Sequence, residues 1–364
     1  MVEGSRILLD FPVEELDREL IIRGARNPRE KLFKFGDREG TREREVIMAR
    51  VAELYDAAAE MTANKALQRF STGDISGALI DKLQGIDGGR GQWYGRMDIF
   101  QVRNEQIKKN ALSVAAICRA KSLIATTRGS TTLKIKNYKK VFNLCDSEPF
   151  HQQPIVAGRL CTGFLVKEDV IATAGHCVNE NNLTDLRIVF GYKMSDSTTP
   201  ETEIPGKNIY KGTKIIRKIC RRMGNQSDWA LIRLDRNVVG QQAAVLSGME
   251  VTRGQSVYLL GHPVGLPLKY ARGVCVSDIE EAYFGAQMDV YCGNSGSPVF
   301  DSETHEVIGI VVRGDSRDFR WTGRGWISVL YPNPVIRTQK PQCTRVSEFR
   351  NIVAGERCRG ERDR

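Results

Sequence analysis

From Met97 onward the chain falls into many short apolar runs, each ended by a cluster of turn-forming residues. This rhythm restricts the fold more than any other feature of the sequence. The runs occupy 111–118, 133–135, 163–166, 170–174, 186–190, 230–234, 257–260, 299–300 and 307–312. Segments of that length, separated by Gly, Asn, Asp, Ser and Pro, suit strands that turn back on themselves into a barrel or sandwich. Helical segments do not alternate with them, so a parallel sheet with crossover helices is not expected.

The first hundred residues read differently. Ile47, Val51, Leu54, Ala58, Met61 and Leu67 recur at helical spacing across 45–70, and neither Gly nor Pro interrupts. Asp74 is suited to cap a second, shorter helix through Ile75, Leu79, Ile80 and Leu83. Gly85, Gly88, Gly89, Gly91 and Gly95 follow as a connector. We therefore expect a mainly β protein preceded by a smaller, largely helical segment at 1–100. That segment reads equally as an adaptor, regulatory or pro-segment and as a helical cap packed on the next domain. A main domain at 101–340 and a basic C-terminal tail at 341–364 complete the expected organisation.

The formal net charge of +10 is unevenly spread. Residues 1–110 hold 19 basic and 19 acidic side chains, and the remainder holds 35 and 25. Lys211, Lys214, Arg217, Lys218, Arg221 and Arg222 crowd one short segment. A basic patch attracts nucleic acid or anionic surfaces. Without interleaved aromatics or a nucleic-acid motif, a solvated face is expected here and a nucleic-acid partner is not. No apolar run approaches the ~18 residues of a membrane span.

Compartment is read from two opposed signals. Ile7-Leu8-Leu9 is too short for the core of an export signal, which points to the cytoplasm if Met1 is the native start. Disulfides would point instead to a secreted or periplasmic protein. Nine cysteines leave at least one unpaired within the chain. Cys161 and Cys177, which bracket a stretch discussed next, are the best-placed pair. The others cannot be paired from sequence, and no CxxC spacing supports a metal site.

Chemistry concentrates in three stretches. In Tyr291-Cys292-Gly293-Asn294-Ser295-Gly296-Ser297-Pro298, Ser295 stands among small, turn-permissive residues that leave its hydroxyl unobstructed. The backbone amides of Gly293 and Ser295 are able to converge on one point, where an oxyanion would form. An ordinary Gly/Asn/Ser turn is the plainer alternative. His176 ends the run Val170-Ile171-Ala172-Thr173-Ala174-Gly175-His176-Cys177, whose small residues give the imidazole room. Asp228 opens Ser227-Asp228-Trp229-Ala230-Leu231-Ile232-Arg233-Leu234, an acid at the mouth of a buried-looking strand. His262 lies in a proline-bounded turn that it is expected to shape, while His151 and His305 sit in polar surroundings. A serine hydroxyl is a poor nucleophile until a base takes its proton, and imidazole can take that proton and later return it.

The three stretches resemble the chymotrypsin/trypsin-like serine peptidases, in particular bacterial members with a Gly-Asn-Ser-Gly-Ser-Pro loop. The resemblance rests on Thr173-Ala174-Gly175-His176-Cys177, Ser227-Asp228-Trp229-Ala230-Leu231 and Gly293-Asn294-Ser295-Gly296-Ser297-Pro298, in the order His, Asp, Ser. Cys161-Thr162-Gly163-Phe164-Leu165-Val166 likewise resembles the strand before the histidine. It covers about residues 105–335. It implies two six-stranded antiparallel β-barrels, His176 as base, Asp228 as its orienter, Ser295 as nucleophile, and the Gly293 and Ser295 amides as oxyanion hole. A protein or peptide substrate and no cofactor follow from it, with a catalytically idle barrel used as a binding module as the alternative.

Two departures from that family bear on activation. Ile155-Val156-Ala157-Gly158 mimics a terminus freed by cleavage, but it lies too close to Cys161 to leave room for the first strand, expected at 111–118. Asn294 stands where the trypsin branch has the acid that pairs with a freed amine. A site formed without that switch is expected. For specificity, counting back six residues from Ser295 reaches Asp289, which the resemblance equates with the acid at the base of a trypsin-like pocket. Such a carboxylate pairs with Arg or Lys of a substrate; a solvent-facing strand acid is the alternative. Glutamate-specific relatives use a histidine on the strand after the nucleophile, here Gly309-Ile310-Val311-Val312-Arg313-Gly314, where there is none. Arg313 is able to meet an acidic side chain, so Asp289, Arg313 and Gly314 are the candidate substrate-binding residues.

Overall fold

The computed structural model describes residues 96–126, 130–158, 160–220, 227–314, 318–329 and 341–355. The helices expected at 45–70 and 74–83, the glycine connector after them, Arg221, Arg222 and residues 356–364 lie outside the described residues. The described part belongs to one unit, 95–331 with 335–364. Among its residues no helix is long and apolar enough to cross a membrane.

Strand β1 (Arg96–Asp98) is followed by helix α1 (Glu105–Leu112), then β2 (Val114–Arg119), β3 (Leu123–Ala125), β4 (Ser130–Leu133), β5 (Ile135–Asn137) and helix α2 (Tyr138–Phe142). Next come β6 (Pro154–Val156), β7 (Cys161–Lys167), β8 (Val170–Thr173), helix α3 (Glu180–Leu183), β9 (Leu186–Phe190), β10 (Glu203–Pro205), β11 (Ile209–Cys220) and β12 (Asp228–Leu234). The second half holds β13 (Ser256–Gly261), β14 (Lys269–Ile279), β15 (Tyr283–Met288), β16 (Pro298–Asp301), β17 (Val307–Arg313), β18 (Phe319–Trp321), β19 (Trp326–Ser328), β20 (Gln342–Arg345) and helix α4 (Arg350–Gly355).

These strands make two rings. The first is a closed barrel in the order β11-β12-β8-β7-β2-β9. The second runs β14-β13-β16-β17-β20-β15 and is closed by the pairing of β15 with β14, while β1 adds to the outer edge of β14. The mainly β expectation with two six-stranded antiparallel barrels therefore holds. Alternation along each strand sorts side chains by layer. Ala115 and Ile117 point into the first barrel with Leu165, Ile171, Ile188 and Ile232. Their neighbours Ala116 and Cys118 face outward, under Leu133, Val156, Leu160 and Tyr192. Val257, Leu259, Phe284, Val299 and Val311 fill the second barrel. A further core joins the two, with Phe164, Ala172, Trp229 and Leu231 meeting Tyr258, Leu260, Phe300 and Ile310.

Three expectations need correction. The strand expected at 111–118 starts at Val114, because 105–112 is helical; the Asn104 side chain accepts the amides of Gln106 and Ile107 and so starts the helix. Residues 96–98, assigned to the N-terminal segment, pair with β14. Residues 341–345, assigned to a basic tail, supply β20, which pairs with both β15 and β17 and completes the second barrel.

Candidate active site

The turn carrying His176 is made by its neighbours. β8 ends at Thr173, and Gly175–Cys177 forms one tight 3-10 turn. Cys177 is disulfide-bonded to Cys161 at the start of β7, which ties the turn to the barrel wall. Gly175 is required by close approach: a Cβ there would stand 2.2 Å from the Ile219 carbonyl and 2.9 Å from Asp228 Oδ1.

That approach lets Asp228, at the first position of β12, grip the turn with both oxygens. Oδ1 accepts the His176 backbone amide at 3.0 Å, and Oδ2 lies 2.8 Å from the ring Nδ1. A carboxylate only accepts, so Nδ1 carries the proton and Nε2 is left with its lone pair. Burial pushes the Asp228 carboxyl up, but the hydrogen bond and charge of His176 and the charge of Arg313 hold it below the usual carboxylate range. The Asp228 side chain is 5% exposed and the imidazole 33%, so a fixed carboxylate lies beneath an accessible imidazole. Thr344 of β20 holds Asp228 from the second barrel, its hydroxyl taking the Asp228 amide at 3.1 Å and lying 3.2 Å from the Asp228 carbonyl.

The loop of Ser295 is fastened to the same place. The Ser295 carbonyl accepts the Thr162 amide at 2.9 Å and lies 3.8 Å from Cys177 Sγ. The Thr162 hydroxyl donates to the Gly293 carbonyl at 2.9 Å. The structure thus brings the loops of His176, Asp228 and Ser295 together. At Gly293, φ is +99°, and a Cβ would stand 2.4 Å from the His262 carbonyl, so only glycine fits. The Cys292 carbonyl accepts the Val264 amide at 2.5 Å. In a planar trans peptide the N–H points opposite to the C=O, so the Gly293 amide is directed away from the Val264 turn. Among the described residues neither the Gly293 nor the Ser295 amide donates to a protein acceptor. Val264 itself has φ +50°, a strained angle for a β-branched residue, in the turn that orients this peptide.

The remaining candidates are distributed around this centre. Arg313 ends β17, half-buried, and donates to Gln342 Oε1 at 3.0 Å. Gly314 is exposed, and a Cβ there would be 3.2 Å from Val290 Cγ1. Asp289 is 4% exposed, and its charge acts on the buried guanidinium of Arg96. It is therefore not a solvent-facing acid. Ile155 and Val156 are buried in β6, paired with β5. His262 is buried, stacked on Tyr192, with Nδ1 3.0 Å from the Leu266 carbonyl. Among the described residues, Cys161, Cys177 and His176 bring possible metal-ligating atoms within 4.8 Å of one another, but the disulfide engages both sulfurs.

Sequence reasoning missed Thr162, Val264, Thr344 and Arg96. Thr162 had a signal, a threonine inside an otherwise apolar run beside Cys161. Thr344 had none, since its role depends on a strand that was read as tail.

Residues 161–310 match the sequence model of the Trypsin-like peptidase domain. No curated protein matches the sequence of this chain. Among solved structures, a Glu endopeptidase is similar at 18% identity and TM-score 0.43, covering 72% of this chain and 98% of that one. The Rv3671c protease of M. tuberculosis, in its active form, is similar at 16% and 0.41, covering 70% and 84%. The VesB protease of Vibrio cholerae is similar at 15% and 0.42, covering 71% and 66%.

Proposed function

Because this chain carries a trypsin-like peptidase domain, we propose that it is a serine endopeptidase acting through Ser295, His176 and Asp228. The observation that carries the reading is the two-point grip of Asp228 on His176, at the spot where the Ser295 loop is fastened. The Ser295 hydroxyl attacks the scissile carbonyl while His176 Nε2 takes its proton. The resulting oxyanion accepts hydrogen bonds from the Gly293 and Ser295 amides. His176 then protonates the leaving amine, the acyl–serine ester forms, and water repeats the sequence in reverse to release the acid. Asp228 keeps the imidazole in the right tautomer and offsets the cation it becomes.

The candidate substrate-binding residues are Asp289, Arg313 and Gly314. Asp289 is the candidate for pairing with Lys or Arg of a substrate, and an unchanged cleavage preference in Asp289→Ser protein would retire that pocket. We further propose that residues 1–100 serve as an adaptor, regulatory or pro-segment. Equal activity and equal partner capture with and without them would dismiss that role.

Replacing Ser295 by Ala is expected to lower kcat by about 10⁴–10⁶, as losses of a triad member do. It is also expected to abolish labelling by a fluorophosphonate, which reacts only with an activated serine. Cleavage by purified Ser295→Ala protein at near wild-type rate removes the assignment, and a wild-type protein that is never labelled leaves the idle binding module instead.

A further inference from the structure

Arg96 is 3% exposed, an unusual place for an arginine. Its Nη2 donates to Ser328 Oγ at 3.0 Å and lies 3.7 Å from Glu148 Oε1. Glu148 is buried as well and accepts the Ser328 amide at 2.6 Å, the Ser328 hydroxyl at 2.9 Å and the Tyr138 hydroxyl at 3.4 Å. The guanidinium carbon stands 4.1 Å from the centroid of the Tyr291 ring. Burial works against its charge; the carboxyl groups of Glu148 and Asp289 are among those that work for it, and the guanidinium stays charged.

Stability alone does not account for this arrangement. Among the described residues Arg96 Nε and Nη1 find no hydrogen-bond partner, and a buried ion pair seldom outdoes a well-packed apolar replacement. What the guanidinium does provide is a flat, fixed platform, set by Glu148 and Ser328; the Phe150 ring lies 5.7 Å from its carbon, and the nearer ring, that of Tyr291, is seated on it. That ring opens the oxyanion turn. The Tyr291 carbonyl accepts the Asn294 amide at 3.0 Å, closing the turn that contains Gly293, and the Tyr291 hydroxyl reaches the Val329 carbonyl at 3.1 Å.

We propose that Arg96 is a positioning residue for the oxyanion hole: it seats Tyr291 and thereby fixes the direction of the Gly293 amide two residues on. The proposal rests on the serine endopeptidase reading. Its control is built into the same corner of the fold. Lys269, 1% exposed, forms a second buried ion pair with Asp98 and donates to Gln153 at 2.7 Å, yet it packs on Phe150 and not on Tyr291. Losing Lys269 therefore removes a buried ion pair from the same corner, including a cation that shares the Phe150 ring with Arg96, while leaving in place the guanidinium under Tyr291.

The experiment compares Arg96→Met, Arg96→Lys and Lys269→Met in the full chain. Arg96→Met is expected to lower kcat about 100-fold, the effect of losing or misaiming one oxyanion donor, with KM within about threefold of wild type. Its affinity for a peptide trifluoromethyl ketone, which forms an oxyanion on Ser295, is expected to fall by the same factor, while affinity for the peptide product stays put. Arg96→Lys, which keeps the charge and loses the flat fork, is expected to fall between, and it serves if Arg96→Met does not fold. Lys269→Met is expected to keep kcat within about threefold at equal loss of thermal stability. Equal kcat losses in the two Met variants overturn the proposal. Amide exchange across 291–295 is read in parallel, because it needs no activity: faster exchange in Arg96→Met alone supports the clamp, and equal exchange overturns it. An inert wild-type protein whose 291–295 amides still depend on Arg96 fails the peptidase reading and not the clamp.

Discussion

At the scale of single residues, the site is held by groups that have only one way to satisfy their chemistry. Asp228 can only accept, so His176 must donate from Nδ1; Gly293 has no room for a side chain, so its amide has one direction. His262 is the clearest case outside the proposed triad. It is buried with one ring nitrogen on the Leu266 carbonyl, and burial drives its pKa down to about 4. Well above pH 6.5 the ring is neutral in both folded and unfolded chains and contributes no pH dependence. As pH falls below the ordinary value of 6.5, the unfolded chain takes up a proton that the folded one refuses. Stability is therefore expected to drop between pH 6.5 and about 4, by up to about 3 kcal/mol. Urea unfolding across that range checks it: His262→Gln, whatever its stability at pH 7, is expected to lose this slope. Asp228 and Asp301, both held below the usual carboxylate range, add their own losses only at lower pH. The residues of the proposed triad were legible in the sequence because each sits in a short local pattern. Thr162, Thr344 and Arg96 were not, since their partners lie 131, 116 and 232 positions away and no local spacing encodes such distances.

At the scale of elements, what could be read depended on how many faces of a strand are buried. β8 and β12 are buried almost throughout and stood out as apolar runs. β11 is twelve residues long, yet its run of lysines and arginines was read as a solvated face, and the irregularities after Gly212 and Ile215 break its alternation. Both readings describe one strand, since Lys211, Lys214 and Arg217 are exposed on the barrel wall while Tyr210 and Gly212 are buried. β20 was lost for another reason: four residues, Gln342–Arg345, followed by basic sequence, look like a tail until their partners are known. The segment after it is equally structural. Phe349 is fully buried and packs 5.6 Å from the Trp229 ring, one residue beyond Asp228. Phe349→Ala is expected to cost about 3–5 kcal/mol, the usual loss for an aromatic removed from a core. Equilibrium urea denaturation measures it, and a cost below 1 kcal/mol would return this segment to the status of a tail.

At the scale of the whole molecule, the two barrels divide the proposed catalytic work. One supplies His176 and Asp228, and the other supplies Ser295 with its turn, so the alignment of base and nucleophile depends on the core between the barrels. The strand β13 offers an internal comparison. Leu259 and Leu260 are adjacent and fully buried, but alternation sends Leu259 into the second barrel and Leu260 into the core shared by both. Truncating either to Ala removes the same atoms and is expected to cost about 2–5 kcal/mol. The consequences for catalysis are expected to part. Leu259→Ala leaves a cavity inside one barrel and keeps the two loops in register, so kcat measured well below its unfolding temperature should stay within about twofold of wild type. Leu260→Ala loosens the core that joins the two barrels, and on the proposed mechanism a shift of even ~1 Å between the His176 and Ser295 loops costs about 100-fold in the worst case. We expect a loss of at least tenfold in kcat for Leu260→Ala, with urea denaturation confirming similar stability in the two variants. Equal kcat values at equal stability would mean that the loops hold the site by themselves, through the Thr162 and Thr344 hydrogen bonds, and that the core between the barrels only stabilises the fold.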